Sequence, residues 1–220
     1  MIYRFAKVGR LSDLINMCIS IGDYKTYLEL GLCAGKTFKQ VVCQSKTSVD
    51  NRHLSATYHM TTDYFFEQFA PSLHKYDIIF IDACHQMDYV TRDIANSLEY
   101  LEEGGLIITH DTLPDNFSQT HYNGCGTAYI SFAKLRAENK NLRMCSLDLN
   151  GEMNPREAGI GLIQKGTQDL YHQNICNYRG PNVTDTKATR CEKWDFYEKN
   201  KKELMNIIKL SEFEGWLNGA

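Results

Sequence analysis

The 220-residue sequence predicts an α/β fold, a mostly parallel seven-stranded sheet with helices on both faces and an antiparallel last strand. Three observations predict it. Short apolar runs alternate with stretches of helical periodicity, the pattern of a parallel sheet wound on both faces. The run 77–82, with Ile78, Ile79, Phe80 and Ile81 between two aspartates, is continuously apolar, as a sheet-centre strand buried on both sides must be. Finally, the runs 142–149 and 159–165 follow one another with no room for a crossover helix, so they are expected to pair antiparallel.

Residues 11–21 place Leu11, Leu14, Ile15, Cys18 and Ile19 at helical spacing, with Ser12 or Asp13 positioned to cap and Gly22-Asp23 to end the helix. A first strand is expected over 27–31, then a helix from Gly35 to Val42, a strand over 47–50 and a further short strand at 58–60. Thr62-Asp63 should cap a helix bearing Tyr64, Phe65, Phe66 and Phe69, aromatics suited to core or to an acceptor pocket. After the strand 77–82, an amphipathic helix is expected over 90–101, ended by Gly104-Gly105, then a buried strand over 106–110 and a helix over 127–138. Residues 1–165 read as the main domain. A polar stretch from Gly166 to about Lys193 and a last helical region, 194–217, form a C-terminal appendage on it.

Composition narrows the classes. A formal net charge of −3 argues against a phosphate backbone as the main partner. No run approaches the roughly 20 apolar residues that span a bilayer, and residues 1–8 lack the apolar core of a signal peptide. The eight cysteines show no C-x-x-C spacing, so reduced thiols in the cytoplasm are the expectation. The pairs Asn116/Ser118 and Asn182/Thr184 match the glycosylation acceptor pattern, which carries no weight without a secretory signal.

In an open parallel sheet, ligands gather where the strands' carboxyl ends meet. Here those ends carry Gly31-x-x-x-Gly35, then Asp50, then Thr62-Asp63, then Asp82-x-x-His85, then His110-Asp111. A glycine pair after a strand allows a tight turn or a close ligand approach. Asp50, one β-α-β unit later, can accept hydrogen bonds from both hydroxyls of a ribose. Glu29 is expected to point toward the same turn, and the absence of a third glycine disfavours NAD. His85 suits proton removal near neutrality. Asp82 and Asp111 with a histidine could hold a hard cation, Mg²⁺ or Mn²⁺, although either acid could equally cap a loop.

The segment from Tyr27 to Phe38, containing Glu29, Gly31, Gly35, Lys36 and Thr37, resembles motif I of class I S-adenosylmethionine-dependent methyltransferases. Phe80-Ile81-Asp82-Ala83-Cys84-His85, Arg92-Asp93, the run 104–111, Asn123-Gly124, the run 159–163 and Phe213 with Trp216 resemble the small-molecule branch called methyltransferase domain 24. The resemblance implies a Rossmann-like sandwich in which Gly31, Cys33 and Gly35 meet the methionine part of the cofactor and Asp50 its ribose. Thr62 and Asp63 would lie near the adenine, and Asp82 beside the sulfonium. Asp82 and His85 match the ligand-and-base pair of metal-dependent sugar and macrolide O-methyltransferases. Members of that branch carry Glu-Asp where this chain has His110-Asp111, which leaves Asp111 as a ligand and the metal open.

The function expected is therefore methyl transfer from S-adenosylmethionine to a small-molecule or sugar-like acceptor, most simply O-methylation. The alternative is a non-catalytic module that binds the cofactor as a sensor or docking partner. Nucleic acid and membrane are not expected partners: there is no basic stripe, and neither the Asn/Asp-Pro-Pro-aromatic nor the Pro-Cys signature occurs. His121 and Tyr122 fall where an acceptor-side loop is expected, and the stretch around 178–181 can serve as a lid or a homo-oligomer contact.

Overall fold

The computed structural model describes residues 9–149, 159–170 and 187–219. Helix α1 (Leu11–Gly22) precedes strand β1 (Thr26–Leu30), the short helix α2 (Lys36–Gln40) and strand β2 (Ser45–Val49). Then come α3 (Thr62–Gln68), β3 (Tyr76–Ile81), α4 (Met87–Glu99) and β4 (Leu101–His110). Helix α5 (Ala128–Glu138), strands β5 (Leu142–Asp148) and β6 (Ile160–Lys165), helix α6 (Lys187–Leu204), strand β7 (Ile207–Lys209) and helix α7 (Leu210–Leu217) complete the order.

The seven strands form one sheet in the order β2-β1-β3-β4-β6-β5-β7. β6 runs antiparallel to both β4 and β5, and every other neighbouring pair is parallel. Since β1 pairs with β2 on one side and β3 on the other, the strand order reverses at β1. The crevice at the carboxyl ends of β1 and β3 is thus the topological switch point, where such sheets bind ligands.

Alternation along the strands supplies two cores. Leu28, Leu30, Ile79 and Ile81 pack toward Phe65, Phe66, Val90, Ile94, Phe132 and Tyr197 of helices α3 to α6. Tyr27, Ile78 and Phe80 pack on the opposite face with Leu14, Ile15 and Cys18 of α1 and Phe213 of α7. Each fully buried large side chain contributes roughly 1.5–3 kcal/mol, so both layers are held by the sheet between them. Among the described residues no helix is long and apolar enough to cross a membrane.

Several elements differ from the sequence expectation. Residues 58–60 form no strand; only a bridge between Val49 and Tyr58 exists, because the segment stays beside β2 for a single residue pair. The seventh strand is instead β7, which pairs parallel with β5 and divides the expected helical region 194–217. The strand 160–165 is antiparallel to its predecessor as expected, and β7 follows it in the chain.

Helix α4 ends at Glu99, not at the glycines. Gly104, at φ 76°, lies within β4, where the register against β3 jumps between Tyr76 and Ile78 and the extra residues bulge out. Helix α1 has no side-chain cap; Ser12 Oγ instead donates to Gln40 Oε1 at 2.8 Å, tying α1 to α2. Asp23, at φ 52°, takes the left-handed position after the helix. Helix α3 is capped by Thr61, one residue before the expected pair. Phe65 and Phe66 are core, whereas Tyr64 is half-exposed. The stretch 178–181 and the sequon at 182–184 lie outside the described residues.

Candidate active site

The first loop of the rim follows β1. Gly31 (φ 89°), Cys33 (φ 48°) and Gly35 (φ 67°) all adopt left-handed backbone, folding the chain into a tight hook before α2. A Cβ on Gly31 would lie 2.2 Å from the carbonyl oxygen of Asp82 and 2.6 Å from Cα of Ala83. The glycine is thus demanded by the close approach of the loop after β3. Gly35 faces the ring of His53, whose Nε2 would lie 3.3 Å from a Cβ.

Asp50, just past β2, holds this hook in place. Its Oδ2 accepts the Leu32 amide at 2.7 Å, and its Oδ1 accepts the amides of Arg52 at 2.6 Å and His53 at 2.8 Å. Burial opposes the charge, but these amides and that of Cys33 outweigh it and hold the carboxyl below its ordinary range. Glu29 is buried on the face it shares with Tyr27, whose hydroxyl donates to Oε2 at 2.5 Å. Desolvation raises its pKa to about 7 against the pull of that hydroxyl, and the charge of Asp82 adds to the rise.

Thr62 and Asp63 sit on the first turn of α3. Asp63 is turned outward into a two-bond pair with Arg92, at 3.0 and 3.1 Å. Thr62 bonds Asp93, a carboxyl 1% exposed on α4 whose pKa burial lifts to about 7.

The ends of β3 and β4 bring four side chains together. Asp82 Oδ1 lies 3.2 Å from His85 Nε2 and 3.0 Å from His110 Nδ1. His85 Nδ1 lies 2.9 Å from Asp111 Oδ2 and donates to the Gly124 carbonyl at 2.7 Å. His110 Nδ1 lies 3.5 Å from Asp111 Oδ1. One potential ligand atom from each of Asp82, His85, His110 and Asp111 falls within 4.8 Å of the others. Asp111 is buried and left-handed (φ 57°), a costly conformation outside glycine that concentrates at functional sites.

The charges in this cluster are strongly coupled. Burial works against ionisation of Asp82, yet the charge and hydrogen bond of His110 and the bonds from His85 hold its carboxyl far below the ordinary range. Burial likewise disfavours a charged His85, but its bonds to Asp111 and Asp82 prevail and raise it to about 10. The two carboxylates thus favour the charged form of the His85 imidazole. Positive charge brought against the two carboxylates would lower its pKa again.

The sequence places an acceptor-side loop after β4, but not its contact with His85 from the other side of the cluster. Gly126 (φ 54°) lets the chain pass so close to His85 that a Cβ would lie 2.4 Å from its carbonyl oxygen. The Thr127 amide donates to that same oxygen at 2.8 Å, and Thr127 Oγ1 accepts the Met87 amide at 2.7 Å. Burial, followed by the charge and hydrogen bond of Asp111, pushes the Cys125 thiol well up. The run Gly124-Cys125-Gly126, placed between β4 and α5, was the available signal. His121 and Tyr122 of the same loop are exposed.

A family model described as a methyltransferase domain matches residues 23–112, from just before β1 to just past Asp111. No curated protein matches in sequence. Among solved structures, the O-methyltransferase TomG from Streptomyces achromogenes, in complex with SAM, is similar with TM-score 0.53 at 12% identity, over 70% of this chain and 79% of that one. An O-methyltransferase from Bacillus cereus, in complex with SAH, gives 0.51 at 13% identity, over 70% and 80%. A putative caffeoyl-CoA O-methyltransferase from Staphylococcus aureus gives 0.53 at 19%, over 72% and 85%. The domain match covers residues 23–112, and the likeness to these O-methyltransferase structures is one of fold.

Proposed function

We propose that this chain transfers the methyl group of S-adenosylmethionine to a hydroxyl of a small or sugar-like molecule. The observation that carries the reading is the meeting of Asp82-His85 and His110-Asp111 in one cluster directly beside the Gly31 hook. The hook, with Gly31, Cys33 and Gly35, would hold the methionine part of the donor above the buried Glu29. Asp50 would face the ribose, Thr62 and Asp63 the adenine side, and Asp82 the sulfonium. The O-methyltransferases of like fold that carry SAM or SAH support the donor and the oxygen acceptor.

The reaction is an in-line displacement, in which the S–CH₃ bond breaks as the O–CH₃ bond forms and the hydroxyl proton leaves. Alignment of the two reactants supplies most of the acceleration. With no cation in the cluster, Nε2 of His85 faces it and would take the proton, with Gly124 and Asp111 fixing the ring through Nδ1. With a cation bound, the same nitrogen would be a ligand and the proton would leave to water. Two carboxylates and two imidazoles within 4.8 Å fit a divalent cation, held by Asp82, His110, Asp111 and Nε2 of His85. Such an ion supplies Lewis acidity that lowers the cost of ionising a hydroxyl.

The test is release of S-adenosylhomocysteine, with product mass, against a panel of sugars, catechols and amines. Hydroxyl acceptors should gain a methyl group, and His85→Ala should lower kcat by roughly 100-fold or more while binding of S-adenosylhomocysteine persists. Tight cofactor binding with no acceptor turned over, and no effect of His85→Ala, would make the chain a binding module instead.

A further inference from the structure

The cluster presents a mixed set of donors on one face. Asp82 Oδ1 is 3.2 Å from His85 Nε2 and 3.0 Å from His110 Nδ1, which is in turn 3.5 Å from Asp111 Oδ1. Neighbouring ligands around a small dication with bonds of about 2.1 Å stand roughly 3.0 Å apart in an octahedron and 3.4 Å in a tetrahedron. These three neighbouring pairs stand near coordination spacing, and one ligand atom from each of the four residues lies within 4.8 Å of the others.

An independent feature points the same way. Nδ1 of His85 is turned away from that face and bonded to the Gly124 carbonyl and Asp111 Oδ2. Metal-binding imidazoles characteristically donate their second N–H to a carbonyl or carboxylate, which fixes the tautomer and aims the free nitrogen at the ion. Gly126 and Thr127 lock the segment that provides this carbonyl against His85.

Donor type then sets the choice of ion. Mg²⁺ prefers carboxylate, carbonyl and water oxygens, whereas imidazole nitrogen favours the later first-row transition ions. Two of the four donors here are imidazoles, and His110 supplies one of them. We propose that Asp82, His85, His110 and Asp111 form a site selective for a first-row transition dication over Mg²⁺, with His110 as the residue that sets the preference. The proposal deepens the methyl-transfer reading, on which these residues form the acceptor side of the site.

The experiment strips the full-length protein of metal and measures Co²⁺ and Mg²⁺ binding by equilibrium dialysis, with Co²⁺ visible absorption as the report on its ligands. Donor and acceptor are left out. The expected result is one Co²⁺ per chain, bound at least about 100-fold more tightly than Mg²⁺, with ligand-field bands of a nitrogen-containing site. His110→Glu should reduce that ratio at least about tenfold, and His110→Gln should weaken Co²⁺ without strengthening Mg²⁺. Equal affinity for the two ions in the unaltered protein, or no stoichiometric Co²⁺ binding, overturns the proposal even if neither variant folds. A protein that binds Co²⁺ selectively but methylates nothing loses the methyl-transfer reading and keeps this one. One that methylates without preferring Co²⁺ does the reverse.

Discussion

Asp50 Oδ2 accepts the Leu32 amide at 2.7 Å, so the carboxylate expected to meet a ribose also ties the glycine hook to the loop after β2. Removing it releases the amides of Leu32, Arg52 and His53 together. Charge-assisted bonds of this kind contribute about 1.5–3 kcal/mol each when buried and less when part-exposed. Asp50→Ala should lower unfolding stability in urea by about 1–3 kcal/mol. In calorimetry it should weaken binding of S-adenosylhomocysteine at least about tenfold. A variant that loses stability but keeps its affinity would leave Asp50 a clamp without a ligand role.

At Gly31 the expected cost is steric. Alanine there must accept φ near 89° and a Cβ 2.2 Å from the Asp82 carbonyl oxygen, backbone that cannot move without shifting the end of β3. Left-handed strain and overpacking each cost about 1–3 kcal/mol. Gly31→Ala should therefore destabilise the protein by several kcal/mol at most and displace Asp82. A thermal-melt shift small enough to match a surface substitution would contradict the close approach.

Gly126 acts on His85 from the far side. A Cβ would meet the His85 carbonyl oxygen at 2.4 Å and the Gln86 side chain at 2.8 Å. Gly126→Ala should push the Gly124 carbonyl away from Nδ1 of His85 and lower kcat about 10- to 100-fold, with KM for the donor little changed. It should also move the pH profile of kcat, because Gly124 is among the groups that raise the His85 pKa. Unchanged kcat and profile in a folded variant would show that the loop does not position His85.

The strand-end chemistry was legible because apolar runs announce strands and fix where each one stops. Ile78 to Ile81 deliver Asp82, and Leu106 to Ile108 deliver His110 and Asp111, so three of the cluster's four residues follow from burial alone. The two-residue period of a strand places Glu29 with Tyr27, inside the sheet's α1 face, and its burial there could not be read from its place before the turn. The Gly124 contact could not be read, since 39 residues separate it from His85 and only the packing of α5 brings it back. The segment at 58–60 has strand-like residues but pairs through Tyr58 alone, and β7 is three residues long; tertiary contacts decide both.

Asp93 provides a pH test away from the reacting groups. Its carboxyl is 1% exposed, bonded to Thr62, and its Oδ2 has no hydrogen-bond partner. Burial raises the folded pKa to about 7 from an ordinary value of 3.8. Between those values the folded state holds a proton that the unfolded chain has released. The contribution of Asp93 to stability is thus fully present below about pH 4 and is lost as pH rises toward 7. Across that interval the linkage amounts to at most about 4 kcal/mol. Asp93→Asn does not titrate, so its stability relative to the unaltered protein should rise between pH 4 and pH 7 and then level off. Urea unfolding at successive pH values reads this directly. Parallel curves for the two proteins across the range would mean that Asp93 ionises in the fold as it does in water.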